Sequence, residues 1–248
     1  MSRPDRHQYL IQLGYDGGRF FGVQPQPGRP TVASALCARL EKAAGQRPRA
    51  VYITARTDRG VWAVQNFATC WFTSPFEPEI FEARFLEPAD DGLMNLVVEP
   101  VDFHTHARNV GAGKQYRYRI RTDGVADDRA WVLEQPLDVA AMKQLAGAFE
   151  GTHDFNAYRY RCQAPNSHKT LSRVEVEKDG HELLIHVEGD GFLRHMVRKL
   201  VSTLVAVGVG EYEVARAVHL LETGAEKGTP KAAPPEGLTL MAIRRAEE

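Results

Sequence analysis

A chain of 248 residues with 43% apolar and 25% charged side chains has the composition of a globular protein, not a disordered or collagen-like one. A formal net charge of −1 provides no bulk attraction for nucleic acid, so any such partner must be sought in local charge. Three scattered cysteines (Cys37, Cys70, Cys162) with no Cys-x-x-Cys spacing argue against a disulfide framework or structural zinc, and with a polar N-terminus and no membrane-length apolar run they lead us to expect a cytoplasmic protein.

In chain order, Gln8 to Leu13 alternates, with Tyr9, Ile11 and Leu13 on one side, and predicts a strand ending at Tyr15-Asp16-Gly17-Gly18. Thr31 is placed to cap a helix with Val32, Leu36 and Leu40 on one face, and Gly45 to stop it. A short strand, Val51 to Thr54, and a second, Val64 to Phe72, leave Asp58 on the connection between them. Later, Tyr116 to Arg121 predicts a strand, and Asp138 caps a helix carrying Val139, Met142, Leu145 and Phe149. Val174–Glu177 and His181–Val187 flank Asp179-Gly180, a hairpin signal. Leu193 to Val207 predicts a long helix with Met196, Val197, Leu200, Val201 and Leu204 inward; a shorter helix at Val214–Leu221 and a strand at Leu238–Ile243 follow. The pattern implies α+β architecture in two strand–helix–strand halves, 1–103 and 104–248, sharing a mostly antiparallel mixed sheet.

Charge is unevenly spread. From Glu77 to Asp102 the only basic residue is Arg84, whereas basic residues gather in Lys114–Arg121, Arg159–Arg173 and Arg194–Lys199. Each cluster alone reads as a solvated face; three that converge would make a basic surface.

Four segments carry candidate chemistry. In Arg56-Thr57-Asp58-Arg59-Gly60 a carboxylate sits between two arginines, which favour its ionised form and its use as nucleophile or base. The same triplet also reads as a solvated turn or an ion pair. In Lys114-Gln115-Tyr116-Arg117-Tyr118-Arg119, strand geometry puts the tyrosines on one face and the arginines on the other. A half-buried strand with a cationic edge explains that spacing; so does a tyrosine that stacks on a base and exchanges a proton. In Gly189 to Lys199, Arg194 and Arg198 fall at i and i+4 in the first turns of the expected helix, where cations oppose the helix dipole and an anion would compensate. The fourth, Ala232-Ala233-Pro234-Pro235-Glu236-Gly237-Leu238, is a stiff loop entering a strand.

In this order the four segments resemble the tRNA pseudouridine synthase A family, whose patterns run roughly G-R-T-D-x-G-V-H-A, K-x-Y-x-Y-x-I, G-x-x-F-L-x-x-M-V-R and A-P-P-x-G-L-x-L. Leu13-Gly14-Tyr15-Asp16-Gly17, Phe20-Phe21-Gly22 and Gly151-Thr152-His153-Asp154-Phe155 fit as well, so the likeness covers almost the whole chain. The resemblance implies a pseudouridine synthase fold of two ferredoxin-like halves, and isomerisation of uridine in tRNA without metal or organic cofactor. It makes Asp58 the nucleophile, Tyr116 the group that stacks on the extruded base and assists proton removal at C5, and Arg198 the partner of the catalytic carboxylate. Leu238 would line the base pocket, and Arg56 would help open the stem and hold the extruded nucleotide. Arg59, Lys114 and Arg194 are counted with the RNA-facing groups. A homodimer and a target at uridines 38 to 40 of the anticodon arm are implied in the same way.

The chain departs from the pattern at Arg59 (usually alanine), Trp62 (usually histidine), Val23 (usually tryptophan) and the Phe85–Asp90 stretch. These leave Asp58, Tyr116 and Arg198 intact but alter their RNA-facing surroundings, and with them the choice of target. Two rivals have distinct signatures. A non-catalytic RNA-binding or RNA-folding factor on the same scaffold would be expected to lose one of those three residues. A glycoside hydrolase would need a second acid beside Asp58. His104 and His106 lack a third ligand at metal-binding spacing, and no phosphate-cradling glycine loop is present, so neither metal nor nucleotide cofactor is expected.

Overall fold

The computed structural model describes residues 7–73, 77–160, 166–225 and 228–246; Cys162 and part of the Arg159–Arg173 basic stretch lie outside the described residues. The chain forms two compact units, one of residues 1–112 with 240–248 and one of residues 113–239.

The first unit contains β1 (His7–Tyr15), α1 (Val32–Ala44), β2 (Ala50–Ile53), β3 (Trp62–Phe72), α2 (Pro78–Leu86), β4 (Leu93–Pro100) and the short α3 (Ala107–Val110). β1 runs antiparallel to both β3 and β4, and β2 antiparallel to β3, giving the order β4-β1-β3-β2. This is the βαββαβ sequence and strand order of a ferredoxin-like half. Thr31 caps α1 as expected. Its hydroxyl accepts from the Ser34 amide (3.2 Å), the Ser34 hydroxyl accepts from the Thr31 amide (2.9 Å), and Gly45 ends the helix in the left-handed region.

Two expectations change here. The alternation proposed for β1 is absent, because Leu10 is as buried as Tyr9, Ile11 and Leu13; a strand flanked on both edges and covered on both faces gains from apolar residues at every position. The acidic stretch, given no element above, builds α2 and β4. Pro78 starts α2, and Phe81 and Phe85 bury its inner face, with Phe81 4.8 Å from the Tyr9 ring and 5.9 Å from that of Phe72. Only two buried residues at i and i+4 mark this helix, and surrounding charge hides them.

The second unit is reached inside β5 (Gly111–Arg121) and contains β6 (Trp131–Val132), α4 (Val139–Phe149), β7 (Gly151–Asp154), β8 (His168–Asp179), β9 (Glu182–Gly189), α5 (Met196–Gly208) and α6 (Val214–Thr223). The chain leaves it inside β10 (Leu238–Arg245). β5 pairs antiparallel with β9, β9 with β8 and β8 with β7, while β6 runs parallel to β5 and makes the sheet mixed. The run β5-α4-β8-β9-α5, with β9 lying between β5 and β8, repeats the grammar of β1-α1-β2-β3-α2 in the first unit. The Asp179-Gly180 turn joins β8 to β9, with Gly180 at φ 56°. Asp138 caps α4 by accepting from the Ala141 amide (3.0 Å). Val139 is only half-buried, and Ala146 takes its expected place in the core beside Met142, Leu145 and Phe149.

One helix boundary bears on the site. α5 starts at Met196, and its N-cap residue His195 adopts the left-handed φ of 59°, so Arg194 precedes the helix. The expected pair of arginines on the first helical turns is therefore one: Arg198 is helical and Arg194 is not.

Candidate active site

In the first unit Asp58 lies on the connection between the antiparallel neighbours β2 and β3, where the strand reading placed it. Asn66, fully buried on β3, holds the near end of this connection. Its amide oxygen accepts from the Ala55 amide (3.1 Å) and the Phe67 amide (2.8 Å), and its nitrogen donates to the Ala55 carbonyl (2.9 Å) and the Tyr15 phenol (3.2 Å). Tyr15 in turn shares a 2.9 Å hydrogen bond with the Thr57 hydroxyl, one residue before Asp58. Burial pushes the Tyr15 phenol up to about 12, against the opposing hydrogen bonds to Thr57 and Asn66.

The far side of the loop is held by close backbone approach. The Val23 amide donates to the Thr57 carbonyl (3.2 Å), and the Val61 amide to the Asp58 carbonyl (3.2 Å). Gly17 lies so near that a Cβ would stand 2.4 Å from the Val61 carbonyl carbon. Asp58 itself is half-exposed, between an exposed Arg56 and an exposed Arg59, whose guanidinium sits 4.3 Å from the centre of the Phe21 ring. The scaffold is rigid on both sides of the carboxylate while the carboxylate keeps access to solvent.

In the second unit β5 alternates as expected: Tyr116, Tyr118 and Ile120 are buried, and Arg117, Arg119 and Arg121 are half-exposed. Tyr116 pairs with Val187 on β9 and meets the edge of the Phe192 ring at 5.1 Å. Lys114, opposite Gly189, is half-buried; burial lowers its pKa, Asp190 opposes that shift and Lys169 adds to it. Arg198 and the proline-containing loop grip each other. Its Nε donates to the Ala233 carbonyl (2.7 Å), and the Ala233 amide donates to the Arg198 carbonyl (3.0 Å).

Tyr118 completes this clamp. Its phenol donates to the Pro234 carbonyl (2.7 Å), and its ring lies where a Cβ on Gly237 would come within 2.7 Å. Burial pushes this phenol far above its ordinary value, with Arg198 the chief opposing influence. Leu238 is buried at the end of the loop, where its amide donates to the Pro235 carbonyl (3.0 Å). The exposed Arg194 guanidinium lies 5.3 Å from the Tyr160 ring centre, and Tyr160 stacks on His195 at 4.8 Å.

The second unit thus brings Arg198, Tyr118 and the Ala233–Leu238 loop together. The first gathers Arg56, Asp58 and Arg59 on one connection.

The expected basic surface is narrower than the sequence suggested. Arg119 pairs with Glu182 (2.7 Å) and Asp127 (3.3 Å), Arg121 with Asp123 (2.5 Å), and Arg173 with Glu175 and Glu188. Glu182 and Glu188 lie on a neighbouring strand, where the spacing of the arginines gave no sign of them, whereas Asp123 and Glu175 stand two residues beyond Arg121 and Arg173 and were already visible in the sequence. Asn66, Tyr15 and Thr57 went unrecognised as supports of the Asp58 loop. An asparagine inside the apolar run Val64–Phe72 was the one available signal, since a buried amide requires partners.

Among the described residues no three His, Cys, Asp or Glu side chains are grouped to hold a metal, and no helix is long and apolar enough to cross a membrane.

Residues 145–244 match a family model described as tRNA pseudouridine synthase. The tRNA pseudouridine synthase A of Myxococcus xanthus is 35% identical over 94% of this chain and 90% of its own length. That of Erythrobacter litoralis is 33% identical over 95% and 97%. Of solved structures, one of a Cbf5-Nop10-Gar1 complex aligns over 77% of this chain and 46% of its own, at TM-score 0.36 and 17% identity. The identity to the two synthases over nearly their full length places this chain in the tRNA pseudouridine synthase A family.

Proposed function

We propose that this protein is an isomerase that converts uridine to pseudouridine in tRNA, with Asp58, Tyr116 and Arg198 at the reaction centre. The observation that carries the reading is 35% identity to a named synthase over 94% of this chain, and the motif resemblance assigns Asp58, Tyr116 and Arg198 to the reaction. The rigid support of the Asp58 loop accords with it, because a nucleophile must be held in place while its target is brought to it.

Asp58 attacks the extruded nucleotide, at the ribose C1′ or at the uracil ring. The C1′–N1 bond breaks, the base turns, a C1′–C5 bond forms and the bond to Asp58 breaks, which restores the free carboxylate; the proton displaced from C5 leaves through Tyr116, and N1 regains a proton. Atoms and electrons balance with no co-reactant, so no metal or organic cofactor is required. Extruding the base costs a few kcal/mol of stacking and pairing. Arg56, Arg59, Lys114 and Arg194 offset this by contacts to the RNA, and Leu238 forms an apolar wall against the base. Arg198 keeps Asp58 ionised when the RNA excludes water. In this reading the N-terminal half carries the acid, and the C-terminal half carries the phenol and the guanidinium. The target is the anticodon arm, at positions 38 to 40, or another tRNA site selected by the changes at Val23, Arg59 and Trp62. The enzyme works as a cytoplasmic homodimer.

A tRNA transcript tritiated at C5 of uridine tests this. The wild-type protein should release tritium and Asp58→Asn should release none while still binding the transcript. Binding without release by the wild type would leave a non-catalytic RNA factor, and equal release by both proteins would remove Asp58 from the chemistry. Mapping pseudouridine in the product would identify the position modified.

A further inference from the structure

Beside the Asp58 loop, two arginines from separate segments share one aromatic ring. The Arg59 guanidinium carbon lies 4.3 Å and that of Arg29 4.7 Å from the centre of Phe21. Both arginines are exposed, Phe21 is half-buried, and neither guanidinium makes an ion pair among the described residues. The two charges can be no more than about 9 Å apart, close to the screening length of physiological salt, so their repulsion is only partly screened.

The backbone fixes this arrangement. Arg29 ends a tight Gln26-Pro27-Gly28-Arg29 turn, closed by a hydrogen bond from its amide to the Gln26 carbonyl (3.3 Å) with Gly28 at φ 69°. That turn is tied to Phe21 on both sides: the Phe21 amide donates to the Pro30 carbonyl (2.8 Å), and the Gln26 side chain donates to the Phe21 carbonyl (2.6 Å). The next residue, Gly22, packs on the Asp58 loop so tightly that a Cβ there would stand 3.0 Å from the Thr57 carbonyl oxygen and 3.3 Å from the Arg59 nitrogen. Ring, turn and catalytic loop are therefore one assembly. It holds two cations together at the edge of the loop that carries Asp58.

We propose that Arg29 and Arg59, held over Phe21, form a phosphate-binding fork that grips the RNA backbone beside the extruded uridine. The inference rests on the RNA substrate proposed above and assigns these side chains to positioning rather than to bond making. Guanidinium groups suit the task because they stack on a ring with their faces while their edges donate to phosphate oxygens.

Binding of an unmodified tRNA transcript is measured across a salt series for wild type, Arg29→Gln, Arg59→Gln, the double variant and Phe21→Leu, with folding checked by thermal melting. Tritium release is followed in parallel. Each glutamine variant should weaken binding by about 5–10-fold near 0.1 M salt and lower the slope of log affinity against log salt by about 1. KM should rise while kcat changes less than about twofold, the signature of lost substrate binding. Phe21→Leu should weaken binding with both charges still present. Unchanged salt slopes in both arginine variants would overturn the fork while leaving the isomerase intact. A fall in kcat at constant KM would overturn it too, by moving Arg59 or Arg29 into the chemistry. Wild-type protein that shows the fork's salt dependence but releases no tritium would sink the isomerase reading instead.

Discussion

Each unit anchors its site segment to a buried tyrosine of its first strand, and the two anchors differ in what they hold. Tyr15, at the end of β1, bonds the Thr57 and Asn66 side chains. Tyr118, inside β5, bonds the main-chain carbonyl of Pro234. The Asp58 loop therefore depends on the identity of particular side chains, each buried and each satisfied by another. The Ala233–Leu238 loop depends on the path of its backbone, which prolines and the close approach of Gly237 to the Tyr118 ring already restrict. A network of side chains fails as a unit when one member is removed, whereas a backbone path tolerates side-chain change along it.

Removing the centre of the first network should have the largest effect. Asn66→Ala leaves the Ala55 amide and carbonyl and the Phe67 amide without their side-chain partner, and should cost about 3–4 kcal/mol in urea unfolding. A loss under about 1 kcal/mol would mean that the loop holds itself and that the contrast between the units is wrong.

Tyr118→Phe should cost less, about 1–2 kcal/mol, because one carbonyl loses one donor while the ring packing survives. Arg198 stays clamped to Ala233 in that variant, so tritium release should fall far less than in Asp58→Asn. Equal losses would show that the phenol, not the arginine, sets the path of the loop.

The most specific effect is alkaline, and near neutral pH it vanishes. The Tyr15 phenol is pushed up to about 12 from 10.0, so the folded state holds its proton more tightly than the unfolded chain does. Its stabilising contribution is complete below pH 10 and declines as pH rises from 10 towards 12, by up to about 1.4 kcal/mol per pH unit. Burial raises Tyr118 and Tyr158 as well, so the wild-type slope is a sum over several phenols. Tyr15→Phe should reduce that slope by one proton's share, measured as unfolding free energy between pH 9 and 11.5. An unchanged slope would place Tyr15 in contact with solvent and remove it as the anchor.

Much of this molecule follows from local pattern. The Thr31 cap, the Gly45 stop, the Asp138 cap, the Asp179-Gly180 hairpin and the alternation of β5 are all set by neighbours in sequence, where capping chemistry and strand period act directly. The order of motifs around Asp58, Tyr116 and Arg198 likewise carries the family resemblance in the sequence alone. Tertiary structure decided what depends on partners far along the chain. It buried both faces of β1, recruited two phenylalanines of an acidic stretch into α2, and set α5 to begin after Arg194. It also paired Arg119 with Glu182 and Arg173 with Glu188, and joined Arg29 to Arg59 across one ring. A capping box or a turn is completed within a few residues, so its signal is local. The partner of a buried amide or an exposed guanidinium is chosen by the fold, and no spacing in the sequence records it.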